Sequence, residues 1–96
     1  MINEISLSYD DTIKYIRENV EIDDLLEISY NRIFAPGNVT AFHDEDEETG
    51  EGFRVSLHLN GEIINQVVTL DFKEIKDDLL EIHHYKDDIE TVIEID

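Results

Sequence analysis

Residues 73–96, Lys73-Glu74-Ile75-Lys76-Asp77-Asp78-Leu79-Leu80-Glu81-Ile82-His83-His84-Tyr85-Lys86-Asp87-Asp88-Ile89-Glu90-Thr91-Val92-Ile93-Glu94-Ile95-Asp96, decide between two architectures. Ile75, Leu79 and Ile82, then Ile89, Val92 and Ile93, recur at helical spacing, and Glu74, Asp77, Asp78, Glu81 and Asp88 take the opposite face. That period predicts an acidic C-terminal helix. A break near His84-Tyr85 and a closing strand through Thr91-Val92-Ile93 compete with it. One echo bears on the choice, because Asp77-Asp78-Leu79-Leu80-Glu81-Ile82 repeats Asp23-Asp24-Leu25-Leu26-Glu27-Ile28 letter for letter. The upstream copy falls in a stretch read as partly strand, so identical residues receive two assignments. A single match without a fixed period does not make a repeat architecture.

Working upstream, Phe53, Val55, Leu57 and Leu59 alternate with Arg54, Ser56, His58 and Asn60, the pattern of a half-buried strand. Asn60-Gly61 follows, and such a pair suits the two positive φ angles of a tight hairpin turn. A two-residue loop predicts Leu57 opposite Ile64 and Phe53 opposite Val68, with the second strand running from Glu62 to Phe72. Residues 44–52 carry Asp44, Glu45, Asp46, Glu47, Glu48 and Glu51 without a lysine or arginine. Their mutual repulsion predicts a mobile loop. Leu26, Ile28, Tyr30 and Phe34 alternate with polar neighbours, although a helix through Ile22, Leu25, Leu26 and Ile33 competes. The strand reading is favoured by Pro36-Gly37, which suit the central positions of a type II turn. Val39 to His43 then returns as a strand. Tyr9, Ile13, Ile16 and Val20 form one helical stripe behind Ser8, a capping residue. Ile2 to Leu7 reads as a short edge strand. The expected fold is α+β, with an N-terminal helix, an antiparallel meander of about four strands and a C-terminal acidic helix.

A chain of 96 residues is one small domain, 1–96, with a single modest core. Its 25 Asp and Glu against 7 Lys and Arg leave a net charge of -18. Direct nucleic-acid binding is thereby excluded, since phosphate affinity comes from Lys and Arg displacing counterions. Anionic membrane surfaces are disfavoured for the same reason. With no cysteine, thiolate chemistry and Cys-ligated metals are absent. Met1-Ile2-Asn3-Glu4 lacks the basic start and apolar run of a signal peptide, so a cytosolic chain is expected.

Asp44-x-Asp46-x-Glu48 copies the start of a calcium loop, but Thr49 stands where glycine is required and Val55 where the bidentate glutamate belongs. His83 and His84 are adjacent and point apart in any regular element. No nucleophile elbow, phosphate loop or zinc-protease motif is present. Neither an enzyme nor a cofactor or metal is expected.

Charge is the remaining signal, and three blocks, residues 1–27, 44–51 and 71–96, hold every acid except Glu62. Carboxylates in helical rows, Asp44 to Glu51, Glu74-x-x-Asp77-Asp78-x-x-Glu81 and Asp87-Asp88-x-Glu90 suggest an array like that of duplex phosphates. A small, Cys-free, acidic α+β chain of this kind resembles the DNA-mimic inhibitors that bacteriophages make against host DNA-binding proteins, above all those that block the nucleoid protein HU. Uracil-DNA glycosylase inhibitors, anti-restriction proteins and acidic anti-CRISPR proteins share these features. The resemblance implies a partner-binding set of Asp44, Glu45, Asp46, Glu47, Glu48, Glu51, Glu74, Asp77, Asp78, Glu81, Asp87 and Asp88. It further implies a basic HU-like partner in a bacterial host cytosol. The competing expectation is an acidic interaction module or ligand-binding domain of a larger assembly, with the charge serving solubility. Homodimerisation is the other partner class considered.

Overall fold

The chain is described over residues 1–60 and 66–96 in a computed structural model. Its elements are β1 (Ile2–Leu7), α1 (Tyr9–Asn19), β2 (Leu25–Tyr30), β3 (Ile33–His43), β4 (Arg54–Leu59), β5 (Val67–Asp71), β6 (Leu79–Lys86) and β7 (Ile89–Ile95). The strands form one seven-stranded sheet in the order β1-β7-β6-β2-β3-β4-β5. Every neighbouring pair is antiparallel except β1 with β7, which run parallel. The protein is therefore mostly β, with one short helix. This overturns the expected α+β layout of a four-strand meander between two helices.

The correction centres on residues 73–96. Residues 73–78 make turns, with Glu74 N–H donating to Asp71 O at 3.1 Å and Asp78 N–H to Ile75 O at 2.9 Å. Beyond them β6 and β7 pair as a hairpin, with Lys86 opposite Ile89. Asp87 and Asp88 form its two-residue turn at φ 51° and 65°, the positive pair that the tightest hairpins need. The apolar spacing fits both periods, and burial selects period two. Ile82 and His84 with Ile93 face the core, while Glu81, His83 and Tyr85 with Glu90 and Glu94 face away.

Pro36-Gly37 also lie inside a strand, opposite Glu27 and Leu26, and the β2–β3 turn is at Asn31-Arg32. Asn31 supplies the positive φ of 54°. The Pro36 carbonyl accepts from Asn60 N–H at 3.1 Å, on the β4 side. An extended residue points its N–H and C=O the same way, so the proton that proline lacks is not missed by the β2 ladder. Gly37 is required for a different reason. A Cβ there would stand 2.6 Å from the His58 carbonyl oxygen.

The β4–β5 hairpin forms, but in another register. Leu57 faces Val68 and Val55 faces Leu70, four positions from the expected pairing. The Asn60-Gly61 turn falls partly outside the described residues, as does Ile64. Phe53, Val55 and Leu57 are buried as expected, with Leu59 and Val68 packed at the core's margin.

The helix matches its stripe, burying Ile13 and Ile16, and Ser8 Oγ accepts from Asp11 N–H at 3.1 Å as its cap. It lies over the face formed by Leu26, Ile28, Ile82 and Ile93. Residues 72–78 carry the chain from edge strand β5 back to β6 on the same side, where Lys76 lies 5.0 Å from the Tyr9 ring of α1. Phe72 is buried there and stacks on Phe53 at 5.9 Å. One face of the sheet is thus covered by α1 and this crossing. Among the described residues no element covers the other.

Candidate functional site

The open face over β1, β7, β6 and β2 is acidic. Register sets Glu4, Val92, His83 and Glu27 in one row across the strands, with Glu94 and Glu81 in the row on one side and Glu90 and Tyr85 in the row on the other. Strands stand about 4.8 Å apart and same-face residues about 6.7 Å apart along a strand, so these five glutamates share one compact patch. These four strands contain no arginine and one lysine, Lys86. Lys86 faces the helix side, 2.8 Å from Glu21.

His83 sits at the centre. Its Nδ1 is 2.8 Å from Glu90 Oε2 and its Nε2 is 2.7 Å from Glu81 Oε1. Ionised carboxylates only accept, so satisfying both requires two N–H donors and hence the imidazolium. Burial opposes the charged ring, but the bonds to Glu90 and Glu81 outweigh it and raise the His83 pKa. The Tyr85 hydroxyl donates to Glu27 Oε1 at 3.1 Å. Burial, followed by that bond and the field of Glu90, pushes its pKa up to about 12. Glu81 directly opposes Glu94 across β6 and β7, a like-charge pair that works against folding. Beyond β2 the same face carries Arg54 opposite Asp71, and Ser56 Oγ links His43 Nε2 at 3.2 Å to Thr69 Oγ1 at 2.7 Å.

Behind the sheet, Tyr15, His84 and Asp24 make a second chain of contacts. The Tyr15 hydroxyl is 2.8 Å from His84 Nδ1, and His84 Nε2 is 2.8 Å from Asp24 Oδ2. Asp24 accepts, so Nε2 carries a proton, and the Tyr15 hydroxyl pairs with Nδ1. Burial would raise the Asp24 pKa, but the bonds from Glu21 N–H and His84 overcome it and lower it. His84 is only 3% exposed. The link ties α1 to β6 and to the α1–β2 connection. It borders a groove of about 640 Å³ whose lining includes Asn3, Ile5, Lys86, Ile89 and Thr91. Both ring nitrogens of the buried imidazole are thereby satisfied.

The residues expected to bind a partner are dispersed. Asp44, Glu45, Asp46, Glu47, Glu48 and Glu51 occupy the β3–β4 connection, where Arg17 pairs with Asp44 at 2.6 Å, Arg54 with Glu51 at 2.8 Å, and Lys73 Nζ donates to Gly50 O at 3.0 Å. Glu74, Asp77 and Asp78 lie on the crossing segment. Asp87 and Asp88 are in the β6–β7 turn. Of the twelve, Glu81 alone is on the open-face patch. The helical row Glu74, Asp77, Asp78 and Glu81 does not form, because the helix carrying it is absent. Glu4, Glu27, Glu90, Glu94, His83 and Tyr85 were outside the expected partner-binding set, and Glu90 entered only as part of the Asp87-Asp88-x-Glu90 row; two period-two strands joined by a two-residue turn at Asp87-Asp88 place Glu81, His83 and Tyr85 with Glu90 and Glu94 on one face. Among the described residues no group of three His, Asp or Glu is placed to hold a metal ion.

A family model described as "Uncharacterized protein conserved in archaea (DUF2097)" matches residues 3–94. The chain belongs to that family. Conservation of the DUF2097 family in archaea overturns the resemblance to bacteriophage DNA-mimic inhibitors, together with the phage origin and the host-takeover and HU-inhibition roles attached to it. The resemblance rested on size and charge, which acidic domains of unrelated origin share. No curated protein and no solved structure matches this DUF2097 chain. No helix among its described residues is long and apolar enough to cross a membrane.

Proposed function

We propose that this protein is an acidic binding module rather than an enzyme, and that its open sheet face occupies a lysine- and arginine-rich surface on a partner protein. Surfaces that otherwise hold nucleic-acid phosphates belong to that class. The supporting observation is Glu4, Glu27, Glu81, Glu90 and Glu94 gathered on the uncovered face of β1, β7, β6 and β2, where His83 is the one cationic group among the described residues. Placing Glu81 against Glu94 costs folding stability, and such local conflicts with folding concentrate where binding needs them. Solubility alone does not call for it, since acids spread over turns serve that end equally well. Elsewhere, Arg17, Arg54 and Lys86 are already engaged with carboxylates of this chain.

The test titrates the protein into a preformed complex of fluorescent duplex DNA with a lysine-rich DNA-binding protein and follows release by anisotropy. Release is expected at low salt and should weaken steeply as ionic strength rises and screening shortens the reach of charge. Glu27→Lys, Glu90→Lys and Glu94→Lys together should abolish it. Reversal of Glu45, Glu47 and Glu48 should leave most of it. No release at large excess, with no direct binding to the immobilised basic protein, would leave solubility as the role of the charge.

A further inference from the structure

We infer that the free edge of β1 receives an extended, lysine- or arginine-bearing segment of the partner as an added strand. This rests on the acidic-module reading and specifies how the partner engages. β1 is the outermost strand and pairs only with β7. Met1 O accepts from Glu90 N–H at 3.0 Å and Leu7 O from Asp96 N–H at 2.9 Å, so the odd-numbered residues of β1 direct their backbone groups at β7. Alternation then turns the N–H and C=O groups of Ile2, Glu4 and Ser6 outward. Exposed edges are normally blunted by lysine, proline, bulges or a covering element. Among the described residues β1 has none of these, and five of its six residues are exposed, Ile2 at 64%.

The surroundings fit an added strand. Between β1 and α1 runs the groove described above, and a second hollow of about 300 Å³ continues it past Ile5, Leu7, Asp11, Tyr15 and Glu18. Side chains of an added strand would alternate between this groove and the open face. Apolar ones would meet Ile5 and Leu7, while basic ones on the open side would meet Glu4 and the glutamates of β7. Lys14 is the single cation beside the second hollow. A second copy of this chain fits poorly, because each carries a net charge of -18 and antiparallel pairing of two β1 strands about their centres brings two Glu4 side chains together. Strand addition takes affinity from backbone bonds and specificity from alternate side chains.

The experiment compares two capped ten-residue peptides of equal charge, one alternating valine and lysine, the other with proline in place of valine. The first should bind, and amide exchange should show new protection at Ile2, Glu4 and Ser6. The proline peptide should bind weakly, held by charge alone. Glu4→Pro deletes an outward donor without touching the β7 ladder, and should weaken the first peptide about tenfold, the equivalent of one lost hydrogen bond. Glu4→Ala separates the charge from the edge and should cost less. If Glu4→Pro does not fold, the peptide pair with the parent protein decides. Equal binding of both peptides, or no protection at those amides, overturns the strand addition and leaves the acidic-module reading standing. Binding of neither peptide nor the basic protein overturns both. Concentration-dependent self-association that Glu4→Pro removes assigns the edge to a second copy and overturns the proposal.

Discussion

Ile28 in β2 lies directly opposite Ile82 in β6, and both are fully buried. They are the last residues of the two identical hexapeptides, Asp23–Ile28 and Asp77–Ile82, which run antiparallel to one another at the centre of the sheet. The two copies meet only at this pair, since Leu25, Leu26 and Glu27 lie opposite Tyr85, His84 and His83, and Asp23 has a positive φ of 77° that Asp77 does not share. The match is imperfect at one side, where the register slips between Ser29 and Tyr30.

The pairing is measurable by a double-mutant cycle. Ile28→Val and Ile82→Val should each cost about 1 kcal/mol in urea unfolding. Because the side chains touch, the double variant should depart from additivity by about 0.5 kcal/mol or more. Strict additivity would mean that β2 and β6 are not neighbours.

His83 makes stability depend on pH near neutrality. Its folded pKa is raised above the unfolded value, so its contribution is full below the unfolded value and fades as pH rises through the folded one. The melting-temperature difference between the parent and His83→Gln should therefore be largest near pH 5.5 and shrink toward pH 8. A difference that grows with pH would contradict the two-carboxylate clamp.

Removing the hydroxyl in Tyr15→Phe leaves His84 Nδ1 buried without its hydrogen-bond partner. A loss of about 1–3 kcal/mol is expected in chemical denaturation. Asp24 acts at the acid end, because its folded pKa is lowered. Its contribution is present above the unfolded carboxylate value and lost as pH falls through the folded one. Asp24→Asn should remove that acid-dependent part of the stability, and an unaltered acid limb in the variant would count against the link.

Gly37→Ala should destabilise by about 1–3 kcal/mol, since its methyl group would press on backbone at the β3–β4 ladder and not on a side chain that can rotate away. An unchanged urea midpoint would show that the two strands separate easily there. Pro36→Ala, which restores an N–H facing past the end of the β4 ladder, should change stability far less.

Local chemistry alone determined α1, because Ser8 caps it and Tyr9, Ile13, Ile16 and Val20 leave one apolar stripe that has no competing period. It likewise determined the strand character of Ile2–Leu7 and Arg54–Leu59 and the excess of carboxylates, whereas at Leu25–Tyr30 a helix through Ile22, Leu25, Leu26 and Ile33 competed and only pairing with β3 and β6 selected the strand. Tertiary structure decided residues 73–96. There Ile75, Leu79 and Ile82 satisfy a helix as well as Ile82 and His84 satisfy a strand, and only β2 on one side and β1 beyond β7 supply the ladder partners that favour extension. It also decided that Pro36-Gly37 would continue a strand, since Leu26 and Leu59 flank it from distant positions in the chain, and that Leu57 would meet Val68. The acidic face followed from the same choice. Glu4, Glu27, Glu81, Glu90 and Glu94 come from four strands, and a helix at the C-terminus would have scattered them. Backbone pairing between segments far apart in sequence is a non-local free energy, and no short window of residues contains both of its partners.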